Sequence, residues 1–285
     1  MTTVYLNGRF LPPGQAMVPV LDRGFLFGDG VYEVIPAYGG RLFRLEEHLA
    51  RLEDSLAAVR IRNPHDRAGW AALLTRLVAD NGGGDQSVYL QVTRGADSKR
   101  DHAFPKGIAP TVFAMSTPMA PLPPGMAERG IAAITRDDYR WARCDIKAIT
   151  LLANVLLRQE AVDAGAYETI LLRDGHAIEG AASNLFIVED GVILTPPKGP
   201  LLLPGITRDL VLELAAAHGQ SAREAAIGEA QLRAADEIWL TSSTREIMPV
   251  TLLDGAPVNG GKPGPVWARM LAHYQAFKQG LRAGG

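Results

Sequence analysis

Three places in the chain combine reactive side chains with an unusual setting. Arg143-Cys144-Asp145-Ile146-Lys147 stands just before an apolar run that ends at Leu157. The period there predicts a buried helix over 149–164. A lysine at the edge of such a helix is desolvated, which favours a neutral, nucleophilic amine suited to Schiff-base chemistry. In Ile178-Glu179-Gly180-Ala181-Ala182-Ser183-Asn184-Leu185-Phe186, a carboxylate and an amide bracket small residues that let another group approach the backbone. In Leu202-Leu203-Pro204-Gly205-Ile206-Thr207-Arg208 a Pro-Gly turn enters a helix. It leaves the N–H groups of Ile206 and Thr207 beside a hydroxyl, a place for a phosphate. Taken singly, each feature has a plain structural explanation: a helix-end lysine reaching water, a solvated turn glutamate, an ordinary N-cap.

The elements that must position these residues can be read from period and punctuation. Val4-Tyr5-Leu6 before Asn7-Gly8, and Val31–Tyr38 joined to Arg41–Arg44 across Gly39-Gly40, are hairpin signals. Leu45, Leu49, Leu52, Leu56 and Val59 recur at three- and four-residue steps and predict an amphipathic helix. A second helix covers 68–79, and Ser87–Thr93 and Thr111–Ser116 read as strands. Four prolines between Pro118 and Pro124 bar regular structure. Beyond them, strand-like runs (131–135, 169–173, 184–188, 237–241) alternate with helical ones (149–164, 207–218, 266–279). The expectation is a mixed α/β, α+β chain of two domains. A smaller N-terminal α+β domain spans 1–117, a linker 118–125, and a larger C-terminal domain 126–285.

Composition narrows the chemistry. The chain has 285 residues, 47% hydrophobic and 21% charged, which is ordinary for a globular core. A net charge of −2 gives no basic excess for a phosphate backbone, so no nucleic-acid partner is expected. One cysteine, Cys144, excludes an internal disulfide framework. The six histidines are scattered, so no metal is expected. No P-loop, zinc-protease or nucleophile-elbow motif occurs. No apolar run approaches the ~18 residues of a membrane span, and the first 30 residues lack a signal peptide's apolar block. A cytoplasmic, membrane-free protein is the expectation.

Combined, the features are specific. Glu179, Asn184-Leu185-Phe186, Thr195 and Leu203-x-Gly205-Ile206-x-Arg208 have the spacing of class IV (fold-type IV) aminotransferases. So do Asp22-Arg23-Gly24, Phe27-Gly28-Asp29-Gly30-Val31-Tyr32-Glu33, Glu47-His48-x-x-Arg51-Leu52, Tyr89-x-Gln91-Val92-Thr93-Arg94-Gly95 and the Lys147 motif. Within that family the pattern is most similar to the branch acting on D-amino acids.

The resemblance implies pyridoxal 5′-phosphate (PLP) as cofactor. Lys147 would carry the Schiff base and move the proton, and Glu179 would pair with the pyridine nitrogen. Arg51, Ile206, Thr207 and Ser243 would hold the phosphate, and Leu203 would buttress the ring. Tyr32, Arg100 and His102 would trap the substrate carboxylate, the last two from the partner subunit of a homodimer. The implied reaction is transfer of an amino group from a D-amino acid, by default D-alanine, to a 2-oxo acid, by default 2-oxoglutarate. Alternatives on the same fold are a branched-chain L-amino acid transaminase, an R-selective amine transaminase and aminodeoxychorismate lyase. The chain departs from the pattern at Ala181-Ala182, where serines are common, and in a longer loop before Arg100.

Overall fold

The computed structural model describes residues 2–119 and 125–283. The proline-rich stretch expected as a linker, 118–125, lies for the most part outside them. In chain order the elements are β1 (Val4–Leu6), β2 (Arg9–Leu11), α1 (Arg23–Phe27), β3 (Gly30–Tyr38), β4 (Arg41–Leu42), α2 (Leu45–Ala58), α3 (Arg67–Asp80), β5 (Gln86–Thr93) and β6 (Thr111–Pro118). There follow α4 (Met126–Arg129), β7 (Ile131–Asp137), α5 (Leu152–Asp163), β8 (Glu168–Arg173), β9 (His176–Gly180), β10 (Asn184–Glu189), β11 (Val192–Thr195) and α6 (Ile206–Ala217). The chain ends with β12 (Ala222–Glu224), β13 (Ile227–Gly228), α7 (Glu229–Ala234), β14 (Glu237–Ser242), β15 (Glu246–Leu253), β16 (Ala256–Pro257) and α8 (Pro265–Ala283). Architecture and element types are those expected of a mixed α/β, α+β chain.

Two compact units emerge. One comprises Met1–Ala120, Ile146–Leu151 and Gly280–Gly285; the other comprises Pro121–Asp145 and Leu152–Gln279. The segment holding Lys147 therefore folds with the first unit, a discontinuity that continuous boundaries do not express.

The first unit is a six-stranded antiparallel sheet, β2-β1-β6-β5-β3-β4, with α2 and α3 packed on it. Strand alternation sends Val88, Leu90 and Val92 of β5 inward, where they meet Leu49, Leu52 and Leu56 of α2 and Trp70, Leu74 and Leu77 of α3. The turns follow their residues: Asn7 and Gly8 have φ 47° and 89°, and Gly39 and Gly40 have φ 59° and 82°, as tight hairpins require.

The predicted helix over 149–164 begins only at Leu152. Before it the backbone is extended along β3. Tyr32 N donates to the Lys147 carbonyl at 3.0 Å, Ile149 N donates to the Gly30 carbonyl at 3.1 Å, and Val31 bridges Ala148. Lys147 is thus not at a helix edge, because β3 offers its segment a ladder. Nor is α5 buried throughout: Leu157 and Ala161 are, whereas Leu152, Val155, Leu156 and Val162 are 73%, 59%, 50% and 50% exposed. The apolar run reads as all-round burial, but only one side of α5 is covered.

The second unit is a ten-stranded mixed sheet, β12-β11-β10-β14-β15-β7-β8-β9-β13, with β16 beside β15. β7 runs parallel to both β8 and β15. One further pairing, of β9 with β10 at Glu179–Asn184, returns the sheet onto itself, so that β10, β14, β15, β7, β8 and β9 form a closed ring. Its core includes Ile170, Leu185, Ile187, Ile238, Leu240 and Val250.

Leu74 is fully buried in the first unit's core. Leu74→Ala is expected to lower unfolding free energy by about 2–5 kcal/mol, through lost transfer energy and a residual cavity. Urea unfolding followed by circular dichroism measures it; a change under about 0.5 kcal/mol would show that α3 does not anchor this core.

Candidate active site

In the first unit a charged residue sits where the strand pattern demands an apolar one. Glu33 shares the inward face of β3 with Val31 and Ile35 and is fully buried. It is sustained by α2, whose buried stripe continues past Leu49, Leu52 and Leu56 into His48, Arg51 and Ser55. Arg51 donates to both carboxylate oxygens, Nε to Oε1 at 2.8 Å and Nη2 to Oε2 at 2.7 Å, and His48 Nδ1 lies 2.7 Å from Oε2. Burial would raise the Glu33 pKa, but the charge and hydrogen bonds of Arg51, with help from His48, hold it at about 2. Burial also drives the His48 pKa down; Glu33 opposes this, while Arg51 and Lys147 add to it. His48 is thus biased toward the neutral imidazole beside the Glu33–Arg51 ion pair.

The Lys147 segment lies along the same cluster. Its backbone N donates to Ser55 Oγ at 3.3 Å, and its Nζ lies 4.3 Å from the centroid of the Tyr32 ring. Lys147, Tyr32 and Arg51 are therefore placed together by β3 and α2. Arg51, expected to meet a phosphate, commits two of its three nitrogens to Glu33.

Arg100 and His102 stand on the loop between β5 and β6, both exposed. The Arg100 guanidinium carbon is 5.0 Å from the Phe27 ring centroid, and the His102 ring is 5.1 Å from it.

In the second unit the closing strand pair carries the chemistry. Glu179, buried, receives three hydrogen bonds. Arg140 Nη1 donates to Oε1 at 2.6 Å, and Asn184 Nδ2 and Leu203 N each donate to Oε2 at 3.1 Å. Arg140 is held in turn by Asp138, through Nε at 2.9 Å and Nη2 at 3.0 Å, and Arg173 contacts the same carboxylate at 3.0 Å. Burial raises the Glu179 pKa to about 7, against the charge and hydrogen bond of Arg140 and the N–H of Leu203. The Arg140 pKa rises well above its usual range: burial works against this, but the Asp138 and Glu179 carboxylates prevail.

Asn184 also donates to the Leu203 carbonyl at 2.8 Å. This seats the Pro204-Gly205 turn so closely that any side chain at Gly205 would strike the Asn184 amide oxygen. Gly205 becomes the N-cap of α6 with no side-chain cap, leaving the first-turn N–H groups of the buried Ile206 and Thr207 for another acceptor. Thr241, opposite Asn184 in the register and so on its face, has a buried hydroxyl with no hydrogen-bond partner. Ser243 follows just beyond β14.

A buried carboxylate and a helix N-terminus without a cap, beside an unpartnered hydroxyl, are groups suited to a ligand that is cationic at one end and anionic at the other. Residues 30–253 match the amino-transferase class IV family. The chain is 44% identical to the D-alanine aminotransferase of Bacillus licheniformis, over 92% of each chain. It is 39% identical to that of Listeria innocua, over 95% of this chain and 94% of the relative. Among solved structures, the branched-chain amino acid aminotransferase of Escherichia coli superposes with TM-score 0.90 at 29% identity, covering 96% of this chain and 93% of that one. The T.th. enzyme of the same name, solved with pyridoxamine 5′-phosphate, gives 0.90 and 29%, covering 98% and 94%. The chain belongs to the class IV aminotransferases, and PLP is its cofactor.

The residues present fit that group: the Thr241 hydroxyl and the α6 N-terminus await polar partners, and Glu179 can face a protonated ring nitrogen. Sequence reasoning missed Arg140, Asp138 and Thr241, and left Glu33, His48 and Asn184 without roles. Glu33 and the His48–Arg51–Ser55 stripe carried a signal, being polar residues in step with a buried apolar period. Arg140 carried none, since nothing in Asp138-x-Arg140 points to Glu179.

Glu179 makes a pH prediction for cofactor-free protein. Its folded pKa of about 7 exceeds the ordinary 4.5. The folded state therefore binds this proton more tightly, and the resulting stabilisation is complete below about 4.5 and lost as pH rises through about 7. Its size is on the order of 3 kcal/mol, at 1.36 kcal/mol per pKa unit. Glu179→Gln should remove this fall, read as the difference between wild-type and variant melting profiles from pH 4.5 to 8. Parallel profiles would place the Glu179 pKa at its ordinary value.

Proposed function

We propose that this aminotransferase transfers the amino group of a D-amino acid, by default D-alanine, to a 2-oxo acid, by default 2-oxoglutarate. The observation that carries this reading is the 44% identity, over nearly the whole of both chains, to a relative named D-alanine aminotransferase. The branched-chain neighbours, at 29% identity, share the fold more than the sequence. Bound PLP supplies the electron sink that lets an amino acid's Cα–H bond break.

This chain's residues would do the rest. Lys147 Nζ would hold the cofactor and, once the incoming substrate amine displaces it, would take the proton from the substrate Cα and return it at the cofactor's C4′, acting as base and then acid. Glu179, steadied by Arg140 and Asn184, keeps the ring nitrogen protonated. Ile206, Thr207, Ser243 and Arg51 hold the phosphate, by N–H groups, a hydroxyl and a guanidinium. Leu203 supports the ring. Tyr32, Arg100 and His102 hold the α-carboxylate, and so fix which face of Cα meets Lys147.

A homodimer, with Arg100 and His102 supplied by the partner subunit, belongs to the same reading. It is supported by the uncovered Leu152, Val155, Leu156 and Val162 on α5, and by the exposed Met17, Val20 and Phe25. A cytoplasmic location is consistent with the free thiol of Cys144. No described helix is long and apolar enough to cross a membrane.

D-alanine should bleach the visible absorbance of the PLP-loaded protein and 2-oxoglutarate should restore it, while L-leucine leaves it unchanged. A response to L-leucine alone would transfer the chain to the branched-chain reading. Lys147→Ala should abolish turnover, and substantial steady-state activity would remove Lys147 as the base. Sedimentation should give twice the chain mass for the wild type and a lighter species for Leu156→Glu; a wild-type monomer would remove the dimer.

A further inference from the structure

The loop joining β5 to β6, residues 94–110, carries no helix or strand, and connections beyond about 12–15 residues are uncommon unless functional. A loop of this length that must present Arg100 and His102 at fixed places needs a rigid support. The structure supplies one from an unexpected direction.

Arg23, the first residue of α1, is 3% exposed and turns its guanidinium onto the backbone of this loop. Nη1 donates to the carbonyls of Asp101 at 2.5 Å and Ala103 at 3.3 Å, and Nη2 donates to that of His102 at 3.1 Å. Three consecutive carbonyls thus share one planar fork, which an ammonium could not span. The remaining nitrogen, Nε, donates to Asp29 Oδ2 at 2.8 Å.

Asp29 is itself gripped by Arg94, whose Nε and Nη2 donate to its two oxygens at 2.8 and 2.9 Å. Arg94 is anchored to the carbonyls beyond α2, at Arg60 (3.0 Å) and Val59 (2.8 Å). Burial would raise the Asp29 pKa, but the two arginines outweigh it and keep the group charged. Rings complete the support. Phe27 carries the guanidinium of Arg23 on its π-system as well as the side chains of Arg100 and His102, and the Arg94 guanidinium carbon lies 3.7 Å from the Phe104 ring centroid. The start of α1 is tight: Asp22 caps it by accepting from Gly24 N, and a side chain at Gly24 would strike Thr93.

We propose that Arg23, tethered through Asp29 to Arg94, is a positioning residue for substrate recognition, holding the 101–103 backbone so that Arg100 and His102 stand ready on Phe27. The inference rests on the reading of Arg100 and His102 as the carboxylate trap. Arg23 touches neither substrate nor cofactor. It acts by removing the loop's freedom before the amino acid arrives, so that little ordering entropy remains to oppose binding. A Lys at position 23 keeps the charge and loses the fork.

The test compares Arg23→Lys, Arg23→Met and Arg100→Ala in PLP-loaded enzyme, with D-alanine and with an amine lacking a carboxylate as donors. Amide hydrogen exchange over 98–104 is the second readout. Both Arg23 variants should raise KM for D-alanine about tenfold or more, as misplacement of a binding group does. They should change the constants for the amine less than twofold and speed exchange in the loop. Should they fail to fold, Phe27→Leu removes the ring beneath Arg100 and His102 while sparing the guanidinium bonds, and should raise the same KM about twofold to fivefold.

If Arg100→Ala raises KM for D-alanine but the Arg23 and Phe27 variants do not, the positioning role is overturned and the trap stands. If Arg100→Ala affects acid and amine alike, the trap fails and the substrate role of Arg23 falls with it. Unchanged loop exchange in the Arg23 variants would overturn the clamp itself, whatever the trap does.

Discussion

Much of the second unit depends on one meeting of strands. β9 and β10 pair only at Glu179 and Asn184, and that pair closes six strands into a ring. Closure brings the ends of β9 and β10 together with a buried carboxylate at the seam, and a buried charge must be partnered. Arg140, Asn184 and the Leu203 N–H supply the partners. Asn184 carries the constraint onward: by taking the Leu203 carbonyl as well, it fixes the turn at Pro204-Gly205 and so the point where α6 begins. The atoms that satisfy the carboxylate at the seam are thus the same ones that fix where α6 starts.

The first unit solves a similar problem differently. Glu33 on the inward face of β3 would be intolerable alone, and α2 brings Arg51 and His48 to it on the polar flank of its leucine stripe. The resulting cluster is buried, and the Lys147 segment is laid along it by backbone hydrogen bonds to β3 and by Ser55. A lysine on an extended segment in a ladder has less freedom than one at a fraying helix end. That is a reason for the chain to leave the second unit for six residues and return. The Arg23–Asp29–Arg94 cluster repeats the strategy, with buried guanidinium groups spent on loop carbonyls where a regular element would have used its own ladder.

Local regularity is legible in the residues themselves. The two hairpins declare themselves through Asn7-Gly8 and Gly39-Gly40, and α2 through its leucine spacing, because turn geometry and helical period are short-range properties. The helix expected over 149–164 is misjudged at its start for the same reason. Apolar period is local, whereas the ladder with β3 that keeps Lys147 extended joins residues far apart in the chain. The exposure of Leu152 and Val155 is equally hidden, since an apolar side chain does not record whether its own chain will cover it.

By itself the sequence determined the family, the cofactor class and most element types, since these reside in spaced motifs and short-range patterns that survive without coordinates. Only the tertiary structure decided which charges meet. Arg140 finds Glu179 across 39 positions, and Arg23 finds the Asp101 carbonyl across 78. Each depends on how a closed ring or a long loop brings distant backbone together, and no local pattern encodes that distance. A buried charge must have a partner by physical necessity, but folding alone selects which residue it is.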